Sequence, residues 1–139
     1  MFSGDARFLI VDDTAAARDG IRKILNKLGF TSVDEAIDGR MAIEKLKVAA
    51  DESRPYAVVF LDLNMPEMDG LKTLEVIRKE PIIQHTPVVV VTTESAKPTV
   101  ISAVMKGVSG FVVKPFSPDD IKKKVIEIFQ RVQTETSAH

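Results

Sequence analysis

Short apolar runs alternate along the chain with segments in which apolar residues recur every three or four positions. Phe8–Val11 (FLIV), Ala57–Leu61 (AVVFL) and Val88–Val91 (VVVV) are unbroken and rich in β-branched residues, the pattern of strands covered on both faces. Thr31–Ala36 and Phe111–Val113 read as two further strands. Between them, Ile21, Ile24, Leu25 and Leu28 have helical spacing, as do Ile43, Leu46 and Ala50, then Leu71, Leu74 and Ile77, and finally Ile121, Val125, Ile128, Phe129 and Val132. Gly29 followed by Phe30 predicts a left-handed stop to the first helix, and Asp69 predicts a cap on the third. Pro98 suits the first turn of a fourth helix that stops at Gly107. The sharpest start is Ser117-Pro118-Asp119-Asp120, which combines a cap, a first-turn proline and two acids favoured by the helix dipole.

Strands alternating with helices in this way predict an α/β fold, an open doubly wound parallel sheet of five strands with five helices. No repeat or long linker divides it, so residues 1–139 are expected to form one domain. Its core spans about 6–133, and a polar tail at 134–139 is expected to fray. The charged, proline-containing stretch between Val48 and Tyr56 is the expected site of disorder within the domain.

Composition narrows the function classes. With 19 basic against 20 acidic residues, no overall field draws the chain to nucleic acid or acidic lipid, and no region is left over for a DNA-binding module. The absence of cysteine excludes a disulfide framework and a thiolate metal site. No stretch approaches the roughly 18 to 20 apolar residues of a membrane span, and a cytoplasmic protein is expected.

Chemistry is expected where the strands end, because open α/β sheets bind ligands beyond their carboxyl edges. The first strand runs into Asp12 and Asp13, the third into Asp62, the fourth into Thr92 and the fifth into Lys114. Each alone is an ordinary loop residue; together they crowd one rim. Two carboxylates about 4 Å apart repel by about 1 kcal/mol in water and about 4 kcal/mol at an effective dielectric near 20, so three invite either a proton or a cation. Hard oxygen donors without histidine or thiolate suit Mg2+. Calcium is second choice, since it takes more ligands and no twelve-residue loop with its spacing occurs. A metal beside a lysine and a hydroxyl suits phosphoryl transfer to a carboxylate nucleophile.

The segments FLIVDD, VVFLDLNMPEMDG, VVVVTTES and GFVVKPF, spread over nearly the whole chain, resemble the motifs of response-regulator receiver domains, and especially the family's single-domain chemotaxis members. The resemblance implies a flavodoxin-like sheet of order 2-1-3-4-5. It implies that Asp62 accepts a phosphoryl group from a histidine kinase, with Asp13, Asp62 and the backbone carbonyl of Asn64 binding Mg2+ directly and Asp12 acting through coordinated water. Thr92 and Lys114 then match the family's switch hydroxyl and phosphate-binding lysine, and Phe111 its rotating aromatic. Strand alternation lets only one of Thr92 and Thr93 face the phosphate, and the resemblance favours Thr92. Asn64 and Glu94 stand where the family tunes phosphoryl lifetime, and the Lys114-Pro115 bond is expected to be cis.

On this reading the chain is a monomeric signalling module and not an enzyme, with slow self-dephosphorylation. The surface of its fourth helix, fifth strand and fifth helix would bind a downstream protein such as a flagellar motor switch, and a phosphatase is a further possible partner. A receiver cut from a transcriptional regulator is the alternative. An aspartyl-phosphate hydrolase is disfavoured, because Asn64 stands where such enzymes place a general acid. Lys122, Lys123 and Lys124 read as a solvated face, Phe111 has core packing as its plainer role, and Thr14 reads as a helix cap. Met65-Pro66 and Asp69-Gly70 are expected to shape the loop beside Asp62 through their turns. The loop from Ala49 to Pro55 is longer than in the family's best-known chemotaxis members, which is expected to leave the chemistry unaffected.

Overall fold

Strand and helix alternate without exception in the order β1 (Arg7–Val11), α1 (Ala15–Lys27), β2 (Ser32–Ala36), α2 (Gly39–Asp51), β3 (Val58–Leu61), α3 (Gly70–Lys79), β4 (Val88–Thr92), α4 (Lys97–Met105), β5 (Gly110–Val113) and α5 (Pro118–Ser137). The computed structural model describes residues 5–63, 65, 69–93, 97–105 and 107–137. All strand pairs are parallel, and the sheet order is β2-β1-β3-β4-β5, as expected.

The unbroken apolar runs follow from what lies on each side of them. Phe8 and Ile10 pack with Ile21 and Leu25 of α1 and Ile121, Val125 and Ile128 of α5, whereas Leu9 and Val11 pack with Leu46 of α2 and Leu74 and Ile77 of α3. Alternate side chains therefore serve two cores, and neither set can be polar. Phe8, Phe30 and Phe129 form an aromatic cluster with ring centroids 4.8 to 6.2 Å apart on the α1/α5 side.

Helix ends follow their local chemistry. Gly29 has φ 98°, and the N–H groups of Gly29 and Phe30 donate to Asn26 and Leu25 carbonyls, the paired bonds of a left-handed helix stop. Asp69 accepts from the Lys72 N–H at 2.8 Å, and the Ser117 and Asp120 side chains each accept from the other's N–H. Thr14 departs from expectation: it stands at the N-cap position of α1, but its hydroxyl caps no backbone group and lies 3.5 Å from Asp13.

The stretch after Val48 is ordered, contrary to the sequence reading. Helix α2 continues to Asp51 and ends with Ser53 in the left-handed region at φ 58°, where the N–H groups of Ser53 and Arg54 donate to Ala50 and Ala49. Arg7 then fastens the loop: it donates to the Arg54 carbonyl at 2.7 Å, pairs with Asp34 at 2.9 Å and stacks on the buried Tyr56 ring. At the other end of the chain α5 continues through Ser137, so helix extends into the segment expected to fray. Two carbonyls of edge strand β2, those of Val33 and Glu35, accept from Arg22 and Lys45, so cations from both helical layers close over an edge open to a second strand. No helix among the described residues is long and apolar enough to cross a membrane.

The Tyr56 hydroxyl donates to Asp34 at 2.6 Å. Burial pushes the Asp34 carboxyl up, but the hydrogen bonds from Tyr56 and Arg7 and the charge of Arg7 outweigh it, leaving the group below its ordinary 3.8. Burial and the Asp34 carboxylate push the Tyr56 phenol above its ordinary 10.0. Asp34 thus contributes stability above pH 3.8 that is lost as pH falls through its lower folded value. The Tyr56 contribution is complete below pH 10.0 and lost as pH rises through its higher folded value. Tyr56→Phe is expected to cost about 1 kcal/mol at neutral pH and to flatten the alkaline limb of stability, as measured by urea unfolding across pH.

Candidate functional site

Register assembles the site. Val11 pairs with Leu61 across β1 and β3, so the next residues, Asp12 and Asp62, emerge side by side at the carboxyl edge. Their backbones are tied in: the Asp62 N–H donates to Val11 at 2.9 Å, and the Asp12 N–H donates to Ala36 of β2 at 3.1 Å. Asp13, one residue on, completes a group in which one carboxylate oxygen from each residue lies within 4.8 Å of the other two. Asp12 and Asp62 are buried, at 3% and 6% exposure, and Asp13 is exposed.

Lys114 arrives from β5, where its N–H donates to the Thr92 carbonyl at 2.8 Å. The ammonium lies 2.9 Å from Asp12 Oδ2 and 3.9 Å from Asp62 Oδ2. Asp12 Oδ1 accepts the Thr14 N–H at 2.9 Å, so each oxygen of Asp12 already holds one donor. Among the described residues, these three carboxylates and one ammonium sum to a formal charge of −2, with two of the carboxylates buried. Burial of unbalanced charge is costly unless a cation joins it, and a set of hard oxygens with no nitrogen or sulfur ligand fits Mg2+.

Thr92 is fully buried at the end of β4, and Thr93, one residue beyond the strand, is exposed. The Lys114-Pro115 bond is cis. Phe111 is half-buried and, among the described residues, belongs to neither core cluster; it borders a surface groove of about 310 Å³ with Val113, Asp120, Lys123 and Lys124. Lys122 and Lys123 are exposed, as a solvated helix face predicts, whereas Lys124 is partly buried. Asn64, Pro66 and Glu94 lie outside the described residues.

Two features of the site were not read from the sequence. Gly70, expected to shape a turn, is instead a point of close approach: a Cβ there would overlap the Asp62 carbonyl oxygen and the Leu63 Cα and lie 2.9 Å from the Asp62 carbonyl carbon. Its N–H donates to the Leu63 carbonyl at 2.9 Å, which seats the start of α3 directly on the backbone that carries Asp62. Arg18 donates to the backbone carbonyl of Asp12 at 2.7 Å and to Glu35 at 2.7 Å. Nothing in the spacing of Arg18 and Glu35 marks this contact, because it depends on β2 lying beside β1.

Residues 8–126 match the response regulator receiver domain, and the chain belongs to that family. It is a CheY-like receiver of the two-component type. Over 126 residues it is 39% identical to chemotaxis protein CheY of Pseudomonas aeruginosa, spanning 91% of this chain and 98% of the relative. Over the same length it is 36% identical to CheY-3 of Vibrio cholerae, spanning 91% and 93%. Among solved structures, Vibrio cholerae CheY4 superposes with a TM-score of 0.78 at 30% identity, covering 89% of this chain and 98% of that one. The CheY of a CheX–CheY complex with beryllofluoride and magnesium from Borrelia burgdorferi superposes with a TM-score of 0.81 at 28% identity, covering 89% of each chain. Receiver domains bind Mg2+ in an acidic pocket, work with histidine kinases and downstream targets, and are in general signalling domains rather than enzymes.

Proposed function

We propose that Asp62 is the phosphoacceptor of a chemotaxis-type response regulator. The observation that carries this reading is the trio Asp12, Asp13 and Asp62 within 4.8 Å at the carboxyl edge, with Lys114 reaching both Asp12 and Asp62. A carboxylate oxygen of Asp62 attacks the phosphorus of a phosphohistidine on a partner kinase; the P–N bond breaks, a P–O bond forms, and the leaving imidazole takes up a proton. Mg2+, when bound, draws charge from the phosphoryl oxygens during transfer. Asp13 and Asp62 would hold it directly, and the family resemblance adds the carbonyl of Asn64 as a further ligand. Asp12, whose oxygens already accept from Thr14 and Lys114, would support it through charge and coordinated water.

Phosphorylation turns one negative charge into about −1.5 to −2 and adds strong acceptors. Lys114 can then exchange part of its pairing with Asp12 for the phosphoryl oxygens, and the Thr92 hydroxyl is drawn to them. Phe111 responds by turning inward, which alters the face built from α4, β5 and α5. That this face meets a protein is supported by the exposed apolar side chains Ile101, Val104 and Met105 of α4 and Val113 of β5. The similarity to chemotaxis proteins supports a motor-switch protein as the target in the cytoplasm, with the chain acting as a monomer and a phosphatase resetting it. Asn64 and Glu94 set the lifetime of the phosphoryl group. Incubation with Mg2+ and a small phosphodonor is expected to add one phosphoryl group by intact mass, and none after chelation; uptake unaffected by chelation would contradict the role given to the trio.

A further inference from the structure

We infer that Arg18, braced by Glu35, is a positioning residue for the cation site, fixing the peptide that links Asp12 to Asp13. The inference rests on the reading that the acidic trio holds Mg2+.

Asp12 is held at every polar atom: its N–H by Ala36, one carboxylate oxygen by Thr14 and the other by Lys114, and its carbonyl by Arg18 Nη1 at 2.7 Å. Asp13 is exposed, and among the described residues its side chain has the long 3.5 Å contact from the Thr14 hydroxyl. Since the Asp12 carbonyl and the Asp13 nitrogen share one rigid peptide plane, the bond from Arg18 sets where the Asp13 backbone points and so where its carboxylate can reach.

Arg18 is itself pinned. It is mostly buried, and its Nε donates to Glu35 Oε1 at 2.7 Å, while Arg22 Nε donates to the other oxygen of Glu35 at 2.8 Å. Burial pushes the Glu35 carboxyl up, but the hydrogen bonds and charges of Arg22 and Arg18 outweigh it and hold the group below its ordinary range. Glu35 therefore stays ionised at neutral pH, and it offsets a positive charge that would otherwise oppose a metal ion nearby. The two bonds leave the guanidinium from different nitrogens in fixed directions, which a lysine ammonium at the end of a flexible stem does not reproduce.

Arg18→Lys preserves charge and removes the fork, which makes it the informative variant. Titration calorimetry with MgCl2 is expected to show Kd raised roughly 3- to 10-fold, at or below the lower range for lost outer-shell partners of a metal site. Glu35→Gln, which keeps Arg18 but removes the charge and one of the two acceptor oxygens that brace Arg18 and Arg22, should also weaken binding, including at about 1 M salt, where surface charge effects are screened. Tyr56→Phe, remote from the rim, should bind Mg2+ as the wild type does. Equal Mg2+ affinity in wild type and both Arg18→Lys and Glu35→Gln overturns the inference, and so does equal weakening in Tyr56→Phe, which would trace the effect to stability. A wild-type chain that binds no Mg2+ sinks the underlying reading instead.

Discussion

Asp62→Asn is expected to take up no phosphoryl group from a small phosphodonor in the presence of Mg2+, under conditions in which the wild-type chain gains one. The substitution is close to isosteric and leaves the Asp62 N–H bond to Val11 in place, so the fold should persist. What disappears is the anionic oxygen that attacks phosphorus, since an amide oxygen is a far poorer nucleophile. Removing one of three clustered charges also relieves repulsion worth about 1 to 4 kcal/mol per pair at about 4 Å, depending on the local dielectric, partly offset by loss of the Lys114 attraction at 3.9 Å, so the variant should melt close to wild type without Mg2+. Loss of uptake without loss of stability separates a chemical role from a structural one. Equal labelling of both chains by intact mass would show that the phosphoryl group goes elsewhere.

The largest structural effect is expected from Gly70→Ala. Alanine normally stabilises a helix relative to glycine by up to about 1 kcal/mol, so helix propensity alone predicts a gain. The added methyl, however, would fall on the Asp62 carbonyl and the Leu63 Cα, both backbone atoms of the segment that carries the proposed phosphoacceptor. Neither can rotate away as a side chain would. Either α3 lifts from the sheet, disturbing the packing of Leu74 and Ile77, or the backbone after β3 shifts and Asp62 leaves the trio. We expect a net loss of about 3 kcal/mol, at the upper end of ordinary overpacking, together with weakened phosphoryl uptake. Chemical denaturation together with labelling measures both, and an increase in stability would contradict the close approach.

Why was the acidic rim visible in the sequence when other parts were not? In a parallel sheet every strand ends on the same edge, so Asp12, Asp62, Thr92 and Lys114 could be brought together from four apolar runs without knowing which strand neighbours which. The strands themselves were legible because both faces of the sheet are covered, which leaves runs such as VVVV with no polar interruption. Gly29 announced its helix stop through the chemistry of a left-handed residue. The matching stop of α2 is taken by Ser53, which carries no such signal, and the segment was therefore mistaken for a loose loop. The contacts that order it, Arg7 with Asp34, Tyr56 and the Arg54 carbonyl, join residues far apart in sequence and depend on register. The same holds for Arg18 and Glu35. Gly70 was misread for a different reason: glycine after a capping aspartate looks like turn chemistry, and only the distance to the Asp62 backbone reveals the need for a missing side chain.

The account stands on a divalent cation lying among Asp12, Asp13 and Asp62. Crystals of the wild-type chain grown with Mn2+ in place of Mg2+ test it through the anomalous signal of the metal. The account predicts a single peak in contact with carboxylate oxygens of Asp13 and Asp62, absent from crystals of Asp13→Asn. A rim with no peak, or a peak that persists unchanged in that variant, would contradict it.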